Sequence, residues 1–260
     1  MEKIINLRVH VAPVGFEIDR VVLPAERRKA DVVWLMVSDH NDLAQGFFDK
    51  IKERLAKQNI SVKTKIHNRM DLFDIIRAAR EIIQDEESNN VFVNLSSGSK
   101  IQAVGCMMAC MMFSNRDNIH PYYADPETYY ERPKRTPLSH GVRDIIDLPH
   151  YEIRIPDDPL VKTMVIIRDE PSGRIKKATL VYRLVEAGII HVTDTSFMDG
   201  DGTNGRRSPV PPGALASLNN RILRHLKRWK FIHIEKVGRS QWVSLTDAGL
   251  NATRFLQNRS

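Results

Sequence analysis

The sequence predicts an α/β chain in two parts. A Rossmann-like parallel sheet with flanking helices is expected over residues 1–156, and a winged helix-turn-helix over 157–260. Three observations carry this. β-rich runs alternate with amphipathic segments through the first half, the pattern of βαβ units. Ile155-Pro156-Asp157-Asp158-Pro159 then stops regular structure and stays solvated, as a linker does. Beyond it the order reads helix, helix, helix, hairpin, helix, that of a winged helix-turn-helix.

In the first part, strands are expected at Ile4–Val11, Asp31–Val37, Ser61–Ile66, Asn90–Leu95 and Ile119–Ala124, each rich in β-branched or aromatic residues. Between them, Leu43–Lys57 carries Phe47, Ile51 and Leu55 at helical spacing, and Met70–Ile83 does the same with Leu72, Ile75, Ile76, Ala79 and Ile83. Asp42 and Asp71 place negative charge near the two helix starts. Ser99–Ser114 is apolar nearly all round, which predicts a helix buried against the sheet. Two short β-like pieces follow a proline-rich stretch, at Asp144–Leu148 and Tyr151–Ile155.

In the second part, Leu160–Arg168 and Ile175–Ala187 read as helices, and Gly188–Gly213, with five glycines and three prolines, as a long loop. Ala214–Lys230 reads as one helix with Leu215, Leu218, Ile222, Leu226 and Trp229 on a single stripe. A hairpin turning at Gly238-Arg239 follows, then a last helix from Thr246 or Asp247.

Charge separates the halves. Of 39 basic and 32 acidic residues, 17 and 8 lie from Leu160 onward, a net of +9, leaving 22 and 24 before it, a net of −2. A positive field confined to one domain points to a polyanionic partner, foremost double-stranded DNA. No apolar run reaches the roughly 18 residues of a membrane span, and the first residues lack a signal-peptide pattern. Cys106 and Cys110 share a helix face rather than a disulfide framework, so a reduced, cytoplasmic protein without membrane partners is expected. No metal site is expected from the scattered histidines, and no bound cofactor.

Two segments carry candidate chemistry. No acidic residue lies between Asp201 and Glu235, whereas Arg206, Arg207, Arg221, Arg224, Lys227, Arg228 and Lys230 do. With the apolar stripe inward, Ser217, Asn220, Arg221 and Arg224 fall on or beside the exposed side. Asn and Arg can read adenine and guanine edges there. Lys227, Arg228 and Arg239 suit phosphates, with Arg239 at the wing tip. The second segment is Asn94-Leu95-Ser96-Ser97-Gly98-Ser99-Lys100, between a strand and a helix. Helix N–H groups, the serine hydroxyls and Lys100 favour an anion there, and Gly98 permits a tight turn. It matches neither a Walker motif nor GxGxxG, so ATP hydrolysis and NAD binding are unsupported. Ala12-Pro13-Val14-Gly15-Phe16, Ser38, Asp39 and His40 should reach the same carboxyl edge of the sheet, where open α/β folds bind ligands.

These two loops, with the fused winged helix, resemble the CARF (CRISPR-associated Rossmann fold) family, in particular archaeal CARF-type transcriptional regulators. The resemblance implies a homodimer whose sensor domains share a cyclic oligoadenylate across the two-fold axis. It implies that Ser97, Gly98, Ser99 and Lys100 contact ligand phosphates, with Val14, Gly15 and Phe16 lining the other side. The Ser96-Ser97-Gly98-Ser99 string stands where many relatives carry Thr-Gly-Gly-Thr, which leaves the ligand's identity open. Some relatives carry a HEPN ribonuclease motif; Arg135–His140 and Arg143–His150 match its spacing, but Pro137 and Pro149 break a helix there. Two other readings stay open: a ring-cleaving phosphodiesterase, for which paired carboxylates are lacking beyond Asp39 and Asp125, and a regulator sensing an unrelated metabolite. No catalytic residue is assigned.

Overall fold

The computed structural model describes residues 6–38, 43–131, 137–192, 197–198 and 209–257. The chain forms two compact units, Met1–Ile155 and Pro156–Ser260.

The first unit is built on six strands: β1 (Arg8–Pro13), β2 (Val32–Ser38), β3 (Ser61–His67), β4 (Asn90–Asn94), β5 (Ile119–Asp125) and an edge strand (Asp144–Asp147). Their order is β3-β2-β1-β4-β5-edge; the first five are parallel and the last is antiparallel to β5. Central strands bury both faces, so they read as apolar runs: Val9, Val11, Val33, Leu35, Val91 and Val93 are fully buried. β3, at the edge, instead exposes Lys63 to aqueous surroundings and pairs Lys65 with Glu81, which blunts an open edge.

Four helices cover the sheet: α1 (Asp19–Arg27), α2 (Gln45–Lys57), α3 (Leu72–Asp85) and α4 (Lys100–Met112). The stripe Phe47, Ile51 and Leu55 of α2 is buried as its spacing requires. Asp71 caps α3 by accepting from Phe73 N at 3.0 Å. α1 is absent from the reading of the sequence: Pro24 lies inside it, and its Arg20 is buried beside Glu17, so polarity and proline together mask the Val21, Val22, Ala25 face. A small hairpin, β6 (Thr128–Tyr129) with β7 (Ser139–His140), precedes the edge strand, here β8. Tyr151–Ile155, expected as a strand, has no regular structure.

One expectation for this unit needs correction. α4 is not buried all round. It buries Gln102, Gly105, Cys106, Ala109, Cys110 and Met112, and Gly105 lets it approach Ile75 of α3, where a Cβ would stand 2.6 Å from Cγ2. Its other face, Ile101, Val104, Met108 and Met111, is half-buried or exposed, with Val104 53% exposed. As the prolines lead one to expect, neither HEPN-like histidine lies on a helix: His140 is in β7 and His150 in irregular chain.

The second unit runs α5 (Asp158–Arg168), β9 (Arg174–Lys176), α6 (Lys177–Glu186), α7 (Pro212–Ser217), a π-helical turn (Leu218–Leu223), α8 (Arg224–Arg228), β10 (Ile232–Val237), β11 (Ser240–Leu245) and α9 (Asp247–Leu256). The antiparallel sheet is ordered β10-β11-β9. Ile175 and Lys176, expected as helix, are strand: Ile175 pairs with Val243 and is buried, so cross-strand packing outweighs local helical spacing. Gly238 takes φ +61° in the two-residue turn of the wing, with Arg239 exposed beside it. Thr246 caps α9 by accepting from Gly249 N at 3.1 Å.

Ala214–Lys230 is helical but not one regular α-helix. An α-helix advances about 100° per residue, so a stripe spaced by four drifts by about 40° at each repeat. Ala214, Leu218, Ile222 and Leu226 are nonetheless all buried. The wider π-helical turn takes up the drift and keeps this row facing the core. Leu215 and Trp229, expected on the stripe, are half-buried, and Leu223 is buried in their stead.

Candidate functional site

In the order β3-β2-β1-β4-β5, the direction of chain progression reverses between β1 and β4, the kind of switch point at whose carboxyl ends open α/β folds bind ligands. The loops expected to hold an anion leave these two strands. They touch: a Cβ on Gly15 would lie 2.8 Å from Gly98 Cα, and one on Gly98 2.7 Å from Pro13 Cβ. Gly98 also has φ +72°, which a side chain disfavours. Gly15 is therefore fixed by close approach to the Gly98 backbone, and Gly98 by its positive φ and the side chains of Pro13 and Gln102.

The three serines of the β4 loop play different parts. Ser96 donates through N (2.8 Å) and Oγ (2.5 Å) to Asn94 Oδ1, and its Oγ accepts from Ala124 N at 2.9 Å. Asn94 is itself buried and donates to Arg20 O at 2.7 Å. Ser99 is the N-cap of α4 in a reciprocal capping box: its N donates to Gln102 Oε1 at 2.8 Å, and its Oγ lies 3.4 Å from Gln102 N. Gln102 in turn meets His67 Nε2 at 2.9 Å. Ser97 differs. Its side chain is 2% exposed, and its Oγ has no hydrogen-bond partner. An unsatisfied buried hydroxyl costs about 1–3 kcal/mol, and such groups call for a functional account.

Lys100 is exposed at the first position of α4, the positive end of the helix dipole, where a cation works against stability but attracts an anion. Val14 and Phe16, implied as ligand-lining, direct their side chains to the core, Phe16 packing edge-on against Phe47 at 5.4 Å. Ser38 is half-buried at the end of β2, and Asp39 and His40 lie outside the described residues. Asp125 ends β5 with Arg143 3.6 Å away.

Next to this loop stands an aromatic group the sequence reading did not single out. The phenols of Tyr123 and Tyr129 meet at 3.4 Å, and their hydrogen bond pushes the Tyr129 phenol up in pKa. The Arg20 guanidinium lies 4.9 Å from the Tyr123 ring centroid. It is held by Ala124 O (2.9 Å) and Glu17, and Glu17 accepts from Ser139 Oγ at 2.5 Å. Asp19 ties the hairpin to α1 and α2, accepting from Gly141 N (2.9 Å) and Arg54 (2.5 Å). Burial pushes its carboxyl up, but these bonds outweigh it and hold the pKa below the usual range. Beneath the loop, His10 Nδ1 meets Tyr122 OH at 3.1 Å; burial, then the nearby Arg28, bring its pKa down to about 3. Burial likewise drives the Cys106 thiol up to about 12, which leaves it an inert packing group.

On the winged helix, Asn220, Arg221, Arg224, Lys227, Arg228 and Arg239 are exposed, and Ser217 is half-buried. The π-helical turn that straightens the buried row also straightens the opposite one, so Asn220, Arg224 and Arg228 follow one another along the helix. Arg206 and Arg207 lie outside the described residues. The Ser99-x-x-Gln102 capping box was present as a spacing; the bracing by Asn94, Glu17 and Arg20 depends on residues distant in sequence and had no local signal.

Comparison with known proteins agrees with this division. Residues 8–129 match the family model described as "HFX_2341_N:-like, N-terminal", and residues 160–257 match "DUF6293 C-terminal winged helix domain". An uncharacterized protein of Methanocaldococcus jannaschii, MJ1513, is 28% identical over 182 residues, 59% of this chain and 53% of its own length. The chain thus spans about half the length of that relative. Among solved structures, Enterococcus italicus Csm6 bound to cyclic hexa-2'-fluoro-hexa-dAMP is similar at TM-score 0.41 and 12% identity, over 71% of this chain and 50% of its own. Can2 from Sulfobacillus thermosulfidooxidans in complex with cyclic tetra-adenylate is similar at TM-score 0.38 and 13% identity, over 93% and 77%. Among the described residues no helix is long and apolar enough to cross a membrane. The chain therefore joins an HFX_2341-like N-terminal domain to a DUF6293 winged helix domain, the composition that the resemblance to CARF-type winged-helix proteins implies.

Proposed function

We propose that the protein is a ligand-responsive, DNA-binding transcriptional regulator whose CARF-like domain senses a cyclic oligoadenylate. The observation that carries this reading is the buried, unpartnered Ser97 hydroxyl at the switch point, beside Lys100 and the start of α4, in a chain that ends in a basic winged helix. Phosphates of the ligand would satisfy Ser97 and neutralise Lys100. Asn220, Arg221 and Arg224 would face the major groove, with Lys227, Arg228 and Arg239 on phosphates.

The incompletely buried apolar row of α4, half-buried Ile101, Met108 and Met111 with exposed Val104, supports a homodimer formed across a two-fold axis, the same patch meeting itself. Such a dimer suits a pseudo-palindromic operator read by two copies of the helix. Val104→Asp should then shift sedimentation of the protein from dimer to monomer; an unchanged dimer would remove α4 from the interface.

The test is calorimetric titration with cyclic tetra-adenylate, followed by a gel shift on the protein's own promoter with and without it. One ligand per dimer with altered DNA affinity is expected. No heat with DNA binding intact would overturn the sensor half of the reading.

A further inference from the structure

The geometry points to a purine-stacking subsite beside the anion loop, with Tyr123 as the platform and the Tyr129 hydroxyl at its edge. This inference rests on the nucleotide reading above and names the part of the ligand that the phosphate loop does not address.

Tyr123 lies near the carboxyl end of β5, one residue before Ala124, whose N–H donates to Ser96 Oγ at 2.9 Å. The residue next to the platform is thus hydrogen-bonded to the loop that carries Ser97 and Lys100. By the alternation of a strand, Tyr123 points to the face opposite Tyr122 and Ala124, both buried. Across the antiparallel pair, Tyr123 stands opposite Ile146 of β8, which is 44% exposed. Two rings and an aliphatic side chain therefore cluster on the strand beside the phosphate-type loop.

The ring is held in place before any ligand arrives. Arg20 supports it at 4.9 Å, and Arg20 is buried and fixed by Ala124 O and Glu17. A buried cation beneath a tyrosine has little to offer a free anion, but it steadies the ring as a surface for stacking. Tyr129 is 63% exposed on the short β6–β7 hairpin, so its hydroxyl can turn from Tyr123 to the edge of a stacked base. An aromatic face with a polar rim, one strand from an anion site, suits a nucleotide better than an inorganic anion or a dicarboxylate. Stacking on such a ring contributes enough that its removal weakens binding by about tenfold or more per base.

The experiment titrates the full chain and its variants with two probes, cyclic tetra-adenylate and tripolyphosphate, which has charge but no base. Tyr123→Ala should weaken the cyclic tetra-adenylate constant about tenfold or more and leave the tripolyphosphate constant unchanged. Tyr123→Phe, which keeps the ring, should bind both probes as the parent does, and answers for folding should the alanine variant lose structure. Tyr129→Phe should weaken only the base-bearing probe. Loss of both probes together in folded Tyr123→Ala, or of neither, overturns the subsite while the sensor reading stands. A parent protein that binds tripolyphosphate but not cyclic tetra-adenylate overturns both.

Discussion

Ser97 and His10 show how differently two buried polar residues behave. Ser97 keeps a hydroxyl out of water without a partner, a cost the fold does not need. Ser97→Ala should therefore hold or raise the melting temperature of the ligand-free protein, while weakening cyclic tetra-adenylate about tenfold, the value of a hydrogen bond to a charged group. Thermal melts and calorimetry on one variant check both arms, and a fall in melting temperature would place Ser97 among the structural residues. His10 is buried and neutral, stacked on Phe92 at 5.0 Å, with its pKa brought down to about 3. The unfolded chain takes up a proton near pH 6.5, whereas the folded chain does not, so stability falls as pH drops from about 6.5 toward 3. Between pH 7.5 and 5, His10→Asn should lose melting temperature less steeply than the parent. Equal slopes would show that other histidines govern this range.

At the scale of elements, the helical segment Ala214–Lys230 is the one whose sequence and structure differ most usefully. Its apolar side chains, spaced by three and four, read as an ordinary stripe, yet the row that is buried, Ala214, Leu218, Ile222 and Leu226, is spaced by four and runs through a π-helical turn. Periodicity gives the inward face but not the winding, because both fit the same apolar letters. The sheet strands were legible since buried central strands leave little choice but Val, Ile and Leu, and the termini moved by only a few residues. β9 was not, being three residues long with a single inward side chain, Ile175. α1 was hidden by Pro24 and Arg20, whose partners come from distant chain. The candidate site divides in the same way. The β4 loop was visible as a string of small residues, whereas which serine keeps an idle hydroxyl depends on Asn94, Gln102 and Ala124. For the helix itself, Arg224→Ala should weaken operator binding by about 1–3 kcal/mol, in a gel shift, and relax discrimination at one base pair. Lys227→Ala should weaken all duplexes alike and lower the slope of log K against log salt by about one. The opposite pattern would exchange their roles.

For the whole molecule, sensing requires that ligand and DNA each alter the affinity of the other by the same factor. A feature of α4 bears on how this arises. Its first turn carries the capping box and Lys100, and Met111 O, near its last turn, accepts from Ile153 N at 3.1 Å. Thirteen residues of helix make a strut about 20 Å long. Ile153 lies three residues ahead of Pro156, where the second unit begins. One rigid bar thus has its head at the proposed ligand loop and its foot on the chain leading to the winged helix domain. Ile153→Pro, which deletes that N–H, should leave calorimetric binding of cyclic tetra-adenylate and basal operator binding intact while uncoupling them, so that ligand no longer shifts the gel. A retained shift would mean that the thrust of the bar travels by another route, and the foot at Ile153 is only a resting place.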